Sequence, residues 1–195
     1  MLKEILVQLR IALSAVAVLV VLLCGAYPLA VWSLAQGLFP LQANGSLLVQ
    51  KGGAVTGSAL LAQGFTGPAY FHPRPSAAGK GYDAAGSGGS NLGPTSRKLV
   101  DTVKKRIADY RLENGLGSEI PIPVDAVTAS ASGLDPHISL KNALLQARRV
   151  AKTRGLDESG LRKEIADATI GRDLGLLGEP RVNVLMLNLE LDGRR

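Results

Sequence analysis

The amino-acid sequence predicts an α+β protein: a single amino-terminal transmembrane helix followed by one compact extracytoplasmic domain, a small sheet covered by helices. Three observations carry this expectation. Ile11 to Ala35 is a run of 25 residues without a charged side chain. The body from Gln36 to Arg195 is mixed in composition and long enough to bury a core of its own. Within it, strand-like stretches at both ends flank segments whose apolar residues recur at helical spacing.

The span comes first. As an α-helix, residues 11–35 would measure about 37 Å, enough to cross a hydrocarbon layer of roughly 30 Å with some tilt. Ser14 is the only polar side chain between Ile11 and Leu23. Gly25 and Pro28 lie near the second end, where a kink is tolerated, and Tyr27 and Trp32 sit where amphipathic rings prefer the headgroup region. Residues 1–10 carry Lys3 and Arg10 against Glu4, whereas residues 36–50 carry no charge. The positive-inside bias therefore places residues 1–10 in the cytoplasm and 36–195 on the far side, with residues 11–35 in lipid. A cleaved signal peptide ending at Ser33-Leu34-Ala35 is the rival, but signal apolar regions run about 7–15 residues. A lipoprotein reading of Leu22-Leu23-Cys24-Gly25 is disfavoured by the bulky residue before the cysteine and by the apolar run that continues past it. Cys24 is the only cysteine, so an intrachain disulfide is excluded and stability must come from packing.

In the exported body, Gly45–Gln50 reads as a strand, Lys51-Gly52-Gly53 as a turn, and Ala54–Gln63 as a second strand interrupted at Gly57. Phe65 to Ser96 is rich in proline and glycine with interspersed aromatics, an irregular wrap of a length often functional. Thr95 or Ser96 caps a helix with Leu99, Val103, Ile107 and Tyr110 on one face, ended by Gly115. The prolines make Ile120–Val124 extended, and Val124–Ala129 reads as a strand. Ser139 caps a second helix with Leu140, Ala143, Leu144, Ala147, Val150 and Ala151 on its buried stripe, ending at Gly155. Asp157 opens a third, to about Thr169, and Arg181–Leu191, alternating leucines with Met186, Asn188 and Glu190, reads as a half-buried strand.

Charge and chemistry narrow the function. The chain carries 22 Lys plus Arg against 16 Asp plus Glu, net +6. The surplus is scattered, densest at Lys104-Lys105-Arg106, Arg148-Arg149 and Arg194-Arg195, and reads as solvated faces and a basic tail with no nucleic-acid partner. Two distant histidines and no exported cysteine predict no metal site. Ser130, Ser132, Asp135 and His137 lie close in sequence, which opens an alternative function, a membrane-anchored hydrolase using Ser130 or Ser132 with His137. Against it, no G-x-S-x-G elbow occurs, and the same residues suit a tight turn opening a helix. Gly86 to Ser96 is a glycine-rich loop entering a helix, a place for an anion, but Pro94 stands where a P-loop needs lysine.

A set of blocks carries a resemblance: Gly57-Ser58; Tyr70-Phe71-x-Pro73-Arg74-Pro75-Ser76-Ala77; Ser87-Gly88-Gly89-Ser90-Asn91-Leu92-Gly93-Pro94-Thr95; Val127 through Ser139, including Ser130, Ser132, Gly133, Asp135, Pro136 and His137; Arg149-Val150-Ala151; and Gly178 through Leu185, including Arg181 and Asn183. Together with the single span they resemble, in order along nearly the whole chain, the C subunit of the Kdp-type potassium-transporting ATPase. His72 departs from that pattern, where an aromatic such as tryptophan is expected. The resemblance implies a non-catalytic accessory subunit of a bacterial inner-membrane pump. It would be needed for assembly and activity and partnered by a channel-like potassium subunit and a P-type ATP-hydrolysing subunit. It also implies a catalytic chaperone that raises the hydrolysing subunit's affinity for ATP, with Ser87, Gly88, Gly89, Ser90 and Gln146 as proposed ATP contacts. Under the same reading Phe71, Pro73, Arg74, Asn91, Gly93, Pro94, Ser130, Ser132, Gly133, Asp135, Pro136, His137, Arg149, Arg181 and Asn183 hold loops or a partner surface. The topology read above conflicts with direct ATP contact, since it puts the domain away from the cytoplasm.

Overall fold

A computed structural model describes residues 1–49 and 52–193. The chain divides into two units, Met1–Ser58 and Ala59–Arg195.

The first unit is dominated by one uninterrupted helix, Leu2–Leu38. It contains the expected span and extends beyond it at both ends. Its parts are α1 (Leu2–Val20), a π-helical turn (Val21–Ala26) and α2 (Tyr27–Leu38). The π turn has a local cause. Pro28 has no N–H, and its ring would crowd the carbonyl four residues back; widening the preceding turn relieves this, so the Tyr27 N–H bonds to the Leu22 carbonyl, five residues away. The irregularity that the second end of the span tolerates thus takes the form of a wide turn. No residue of the helix is buried, and its apolar side chains from Ile11 to Leu34 stand in the open. A surface of that extent needs lipid or protein cover.

After the short α3 (Pro40–Ala43), β1 (Leu47–Val49) pairs antiparallel with β2 (Val55–Ser58), with a register shift between Leu48 and Val49. The second strand is shorter than expected. Gln50 and Lys51, part of the expected strand and turn, lie outside the described residues, as does the terminal Arg194-Arg195.

The second unit opens with an irregular wrap: residues 65–96 contain no helix or strand. Then come α4 (Arg97–Asn114), capped by Ser96 and ended by left-handed Gly115, and the single turn α5 (Val124–Val127). Next are β3 (His137–Ser139), α6 (Leu140–Arg154), α7 (Glu158–Asp167), β4 (Thr169–Ile170), β5 (Arg181–Asn183) and α8 (Val184–Asp192). The sheet is three-stranded and antiparallel in the order β3-β5-β4, with Ile138 opposite Val182 and Thr169 opposite Val182. Helix α6 presents the small stripe Ala143, Ala147, Val150 and Ala151, which lets α7 approach and bury Leu161 and Ile165. Phe71, Ile138, Val182, Val184, Leu187 and Leu191 complete the core.

Two expectations are corrected. Val124–Ala129 is not a strand: Val124–Val127 is a helical turn, entered from extended Pro123. Arg181–Leu191 is a strand for only three residues, and then the Asn183 side chain accepts the Met186 N–H and starts α8. In that helix Val184, Leu187, Asn188 and Leu191 share the buried face. Its leucines satisfy period 2 and period 3.6 alike, and only the cap distinguishes the two.

Candidate functional site

The wrap from Pro68 to Ala77 is held against the helices by side-chain amides. Phe71 is fully buried, and Asn188 of α8 takes both its backbone groups: the Phe71 N–H donates to Asn188 Oδ1 at 2.9 Å, and Asn188 Nδ2 donates to the Phe71 carbonyl at 2.9 Å. The next residue is clamped by α6 in the same way. The His72 N–H donates to Gln146 Oε1 at 2.7 Å, and Gln146 Nε2 donates to the His72 carbonyl at 3.1 Å. Two amides thus supply successive residues of one extended segment with the bonds a neighbouring strand would give.

Gln146 belongs to a continuous polar network. Its Nε2 also donates to Asn142 Oδ1 (2.9 Å), and its Oε1 also accepts from Arg149 Nη2 (2.9 Å). Asn142 accepts from the Tyr110 hydroxyl and donates to Asp125, which in turn holds the amide and hydroxyl of Ser139 at the start of α6. Arg149, only 9% exposed, spends its guanidinium on Asn114 Oδ1, the Pro68 and Tyr70 carbonyls and Gln146, with Glu113 4.0 Å away. Burial lowers its pKa and Glu113 opposes the shift; the group remains a cation at neutral pH. Burial likewise pushes the Tyr110 hydroxyl well up. At the end of α6, Arg154 bonds the Ala69 carbonyl and Asp192 and lies 4.9 Å over the Tyr70 ring.

His72 sits at the edge of this network. Its Nδ1 lies 2.9 Å from Glu113 Oε1 and its Nε2 2.9 Å from the Gly67 carbonyl. The hydrogen bond from His72 is the main reason the Glu113 carboxyl is held below the usual range, with burial opposing. A small cleft of about 220 Å³ opens here, lined by His72, Pro73, Tyr82, Glu113 and Gln146 among others.

The Ser130–Ser139 block forms a second element. Asp135 accepts the His137 N–H at 3.0 Å, faces His137 Nδ1 at 3.3 Å and pairs with Arg74 at 3.1 Å. Burial works against ionisation of Asp135, but the bonds from the His137 ring and amide and from Arg74 outweigh it and hold the carboxyl below the usual range. No triad assembles. Ser132 Oγ accepts the Leu134 N–H, Ser130 is buried, and among the described residues no hydrogen bond joins either serine to His137. The buried Pro136 accepts the Val184 N–H, and Asn183 donates to the Ala59 carbonyl while capping α8.

The glycine-rich loop braces this turn. The Gly88 N–H and the Ser87 hydroxyl both donate to the Ser132 carbonyl, at 2.9 and 3.0 Å. Gly133 is left-handed (φ +68°), and a Cβ there would lie 2.7 Å from both the Ala78 nitrogen and the Gly88 oxygen; one on Gly89 would lie 3.0 Å from the Ala131 oxygen. Ser76 Oγ closes the contact by donating to the Gly133 carbonyl at 2.6 Å. Ser90, Asn91 (φ +49°), Gly93 and Pro94 stay exposed, with Gly93 accepting the Ser96 N–H. The amino end of α4 is capped by Ser96 itself, through the Leu99 N–H.

Of the five proposed nucleotide contacts, the structure brings Ser87, Gly88 and Gly89 onto the 131–133 turn, leaves Ser90 in solvent, and buries Gln146 (1% exposed) with both ends of its amide bonded. Four of the other motif residues converge elsewhere. Arg74, Asp135, His137 and Arg181, with Asp125, Ser139, Glu179 and Pro180, line one open cleft of about 480 Å³. Sequence reading missed Asn142, Asn188, Asn114, Glu113 and Asp125. The available signal was an amide beside the apolar stripe of α6, as at Asn142; Asn188 gave none, because its stretch reads as a strand.

Comparison with known proteins agrees with the resemblance. The family model for "K+-transporting ATPase, c chain" matches residues 9–193. A potassium-transporting ATPase KdpC subunit from Rhodospirillum rubrum is 59% identical over 186 residues, covering 95% of each chain. One from Koribacter versatilis is 56% identical over 174 residues, 89% of this chain and 88% of its own. One from Mycobacterium bovis is 54% identical over 185 residues, 95% of this chain and 97% of its own. With the match running from inside the apolar helix to the end of α8, the chain belongs to the KdpC family, the c chain of potassium-transporting ATPases.

Proposed function

We propose that this chain is the accessory, non-catalytic subunit of a high-affinity ATP-driven potassium uptake complex in the bacterial inner membrane. Its residues 59–193 act as a rigid docking body on the outer face of the channel-like potassium subunit, near the ion entrance. The apolar helix packs beside that subunit, and hydrolysis belongs to a separate P-type subunit. The observation that carries the reading is where the motif residues go. Phe71 and Arg149 take part in locking the wrap to the helices, Arg74, Asp135, His137 and Arg181 line one open cleft, and among the described residues no hydrogen bond joins Ser130 or Ser132 to His137. A rigid body with a shaped polar face is what a docking subunit requires. The commitments of Gln146 and of the Gly88 amide inside the domain favour this over direct ATP contact.

The test is co-purification of the full chain with the two larger subunits, together with the potassium-stimulated ATPase activity of the complex. Arg74→Ala and Asp135→Ala should lower both, and the chain alone should turn over no ATP. A reporter fused after Arg195 should be active only outside the cytoplasm. Activity only in the cytoplasm, or variants that assemble normally but lose ATP crosslinking, would overturn the docking reading in favour of a nucleotide-binding regulator.

A further inference from the structure

The segment from Gly171 to Pro180 joins β4 to β5 and is exposed throughout. At its tip Leu174, Leu176 and Leu177 are 91%, 81% and 62% exposed. Neighbouring leucines so fully in water are a liability unless something covers them. The loop is also firmly built. Asp173 and Leu177 exchange two backbone bonds of 2.8 and 2.9 Å, the Gly175 N–H bonds to the Arg172 carbonyl, and the Leu176 N–H bonds to that of Asp173. Leu174 is held at φ +55°, a left-handed conformation unfavourable for a leucine, and Gly175 and Gly178 complete the reversal. Strain retained at an exposed apolar tip marks a presented element.

Charge and composition argue what covers it. Arg172 bonds both oxygens of Glu179, and Arg181 lies 3.5 Å from Asp173, so the stem is electrically neutral. The segment has no lysine, tryptophan or tyrosine. Loops that enter lipid rely on a basic surplus and interfacial aromatics, and this one has neither. An apolar centre with a rim of paired charges is instead the general make-up of a protein–protein contact. The position is continuous with the docking face, because Glu179 and Pro180 line both the motif cleft and a groove of about 590 Å³ floored by Leu140, Leu144 and Leu145.

We propose that Leu174, Leu176 and Leu177 form a preorganised plug that seats in an apolar socket on the exposed surface of a partner protein subunit. The proposal rests on the accessory-subunit reading and names the element through which docking is anchored. Its test uses the full chain co-expressed with its partner subunits. Replacing the three leucines together (Leu174→Ser, Leu176→Ser, Leu177→Ser) should weaken partner retention at least tenfold, as expected for loss of a contact centre. The thermal midpoint of the chain alone should move by no more than about 2 °C, since Leu174 and Leu176 are almost wholly in water and Leu177 mostly so. In a second variant, Cys24→Ser with Leu176→Cys carries a polarity-sensitive dye. Its emission should shift to the blue in the assembled complex, and not with anionic vesicles alone or with rising concentration of the chain alone. Wild-type retention by the triple variant overturns the plug, as does a blue shift produced by vesicles or by self-association. If the unsubstituted chain retains no partner, the accessory reading falls and the plug with it; retention by both chains removes the plug alone.

Discussion

Gln146 separates a structural role from a nucleotide contact, and Gln146→Leu is the perturbation that does so. The side chain is 1% exposed and makes four hydrogen bonds, of 2.7, 2.9, 2.9 and 3.1 Å. Leucine fills nearly the same volume and makes none. Asn142 Oδ1 keeps the Tyr110 hydroxyl, but the His72 N–H, the His72 carbonyl and one Arg149 nitrogen lose their partner. At about 1 kcal/mol for each neutral orphan and about 2 kcal/mol for the charged one, the loss is about 4 kcal/mol. The added apolar burial returns about 1 kcal/mol, leaving about 3 kcal/mol, a fall in midpoint of about 10 °C for a domain of this size. The assay is thermal unfolding of the full chain in detergent, followed by near-ultraviolet circular dichroism with no nucleotide present. A residue whose work is to touch nucleotide would leave that midpoint where it was. A shift below about 2 °C, with ATP crosslinking to the complex abolished, would refute the reasoning.

Two further outcomes follow from the same geometry. Gly133→Ala should cost about 3 kcal/mol or more in urea unfolding, because its φ of +68° is unfavourable and the new methyl would meet backbone at 2.7 Å on two sides. Gly155→Ala, at the same φ but in open space, isolates the backbone term and should cost only about 1 kcal/mol. The depressed carboxyls of Asp135 and Glu113 predict an acid limb: their contribution is complete above the ordinary carboxylate range and is lost as pH falls through the lower folded values, below about pH 4. Both are about a third exposed, so the effect is modest. The midpoint of an Asp135→Asn, Glu113→Gln chain should fall less steeply there than that of the unsubstituted chain, and parallel profiles would show that other groups drive acid unfolding.

How much of this was legible in the sequence differs from element to element for physical reasons. The apolar helix was legible from its length without charge, and α4, α6 and α7 because each couples a cap to a period: Ser96, Ser139 and Asp157 accept amides at the starts, and Gly115 and Gly155 turn left-handed at two of the ends. Helix α5 was not, since one turn is too short to display a period and Pro123 holds its entry extended. Ser139 and Asn183 do the same thing, each closing a strand and capping the helix that follows. At the first junction the three-residue strand β3 reads as a turn, but the helix was legible because Ser139 caps it and Lys141 and Arg148 mark a wet face. The second was not, because Val184–Leu189 is apolar at nearly every position and leaves only the cap to separate helix from strand.

The candidate site was legible by kind of residue and illegible by partner. An amide placed in an apolar helical stripe must find hydrogen-bonding partners inside the protein, or it costs more than an alanine would. Gln146, which borders the apolar stripe of a helix legible in the sequence, therefore implies some buried backbone that regular structure has left unpaired, whereas Asn188 carries no such signal, because its stretch reads as a strand. The irregular wrap is where such backbone must exist, because a segment containing Pro68, Pro73 and Pro75 cannot join a ladder along its length. What no local pattern specifies is the match: Gln146 to His72, 74 residues away, and Asn188 to Phe71, 117 residues away. The blocks that carry the resemblance follow the same division. The stretch around Phe71, the helix carrying Arg149 and the strand-to-helix junction at Asn183 are the parts of one clamp, and each is needed only because the others are present. This is why substitutions at Gln146 or Asn188 should release the wrap, and with it the cleft lined by Arg74 and Asp135, before they disturb the sheet.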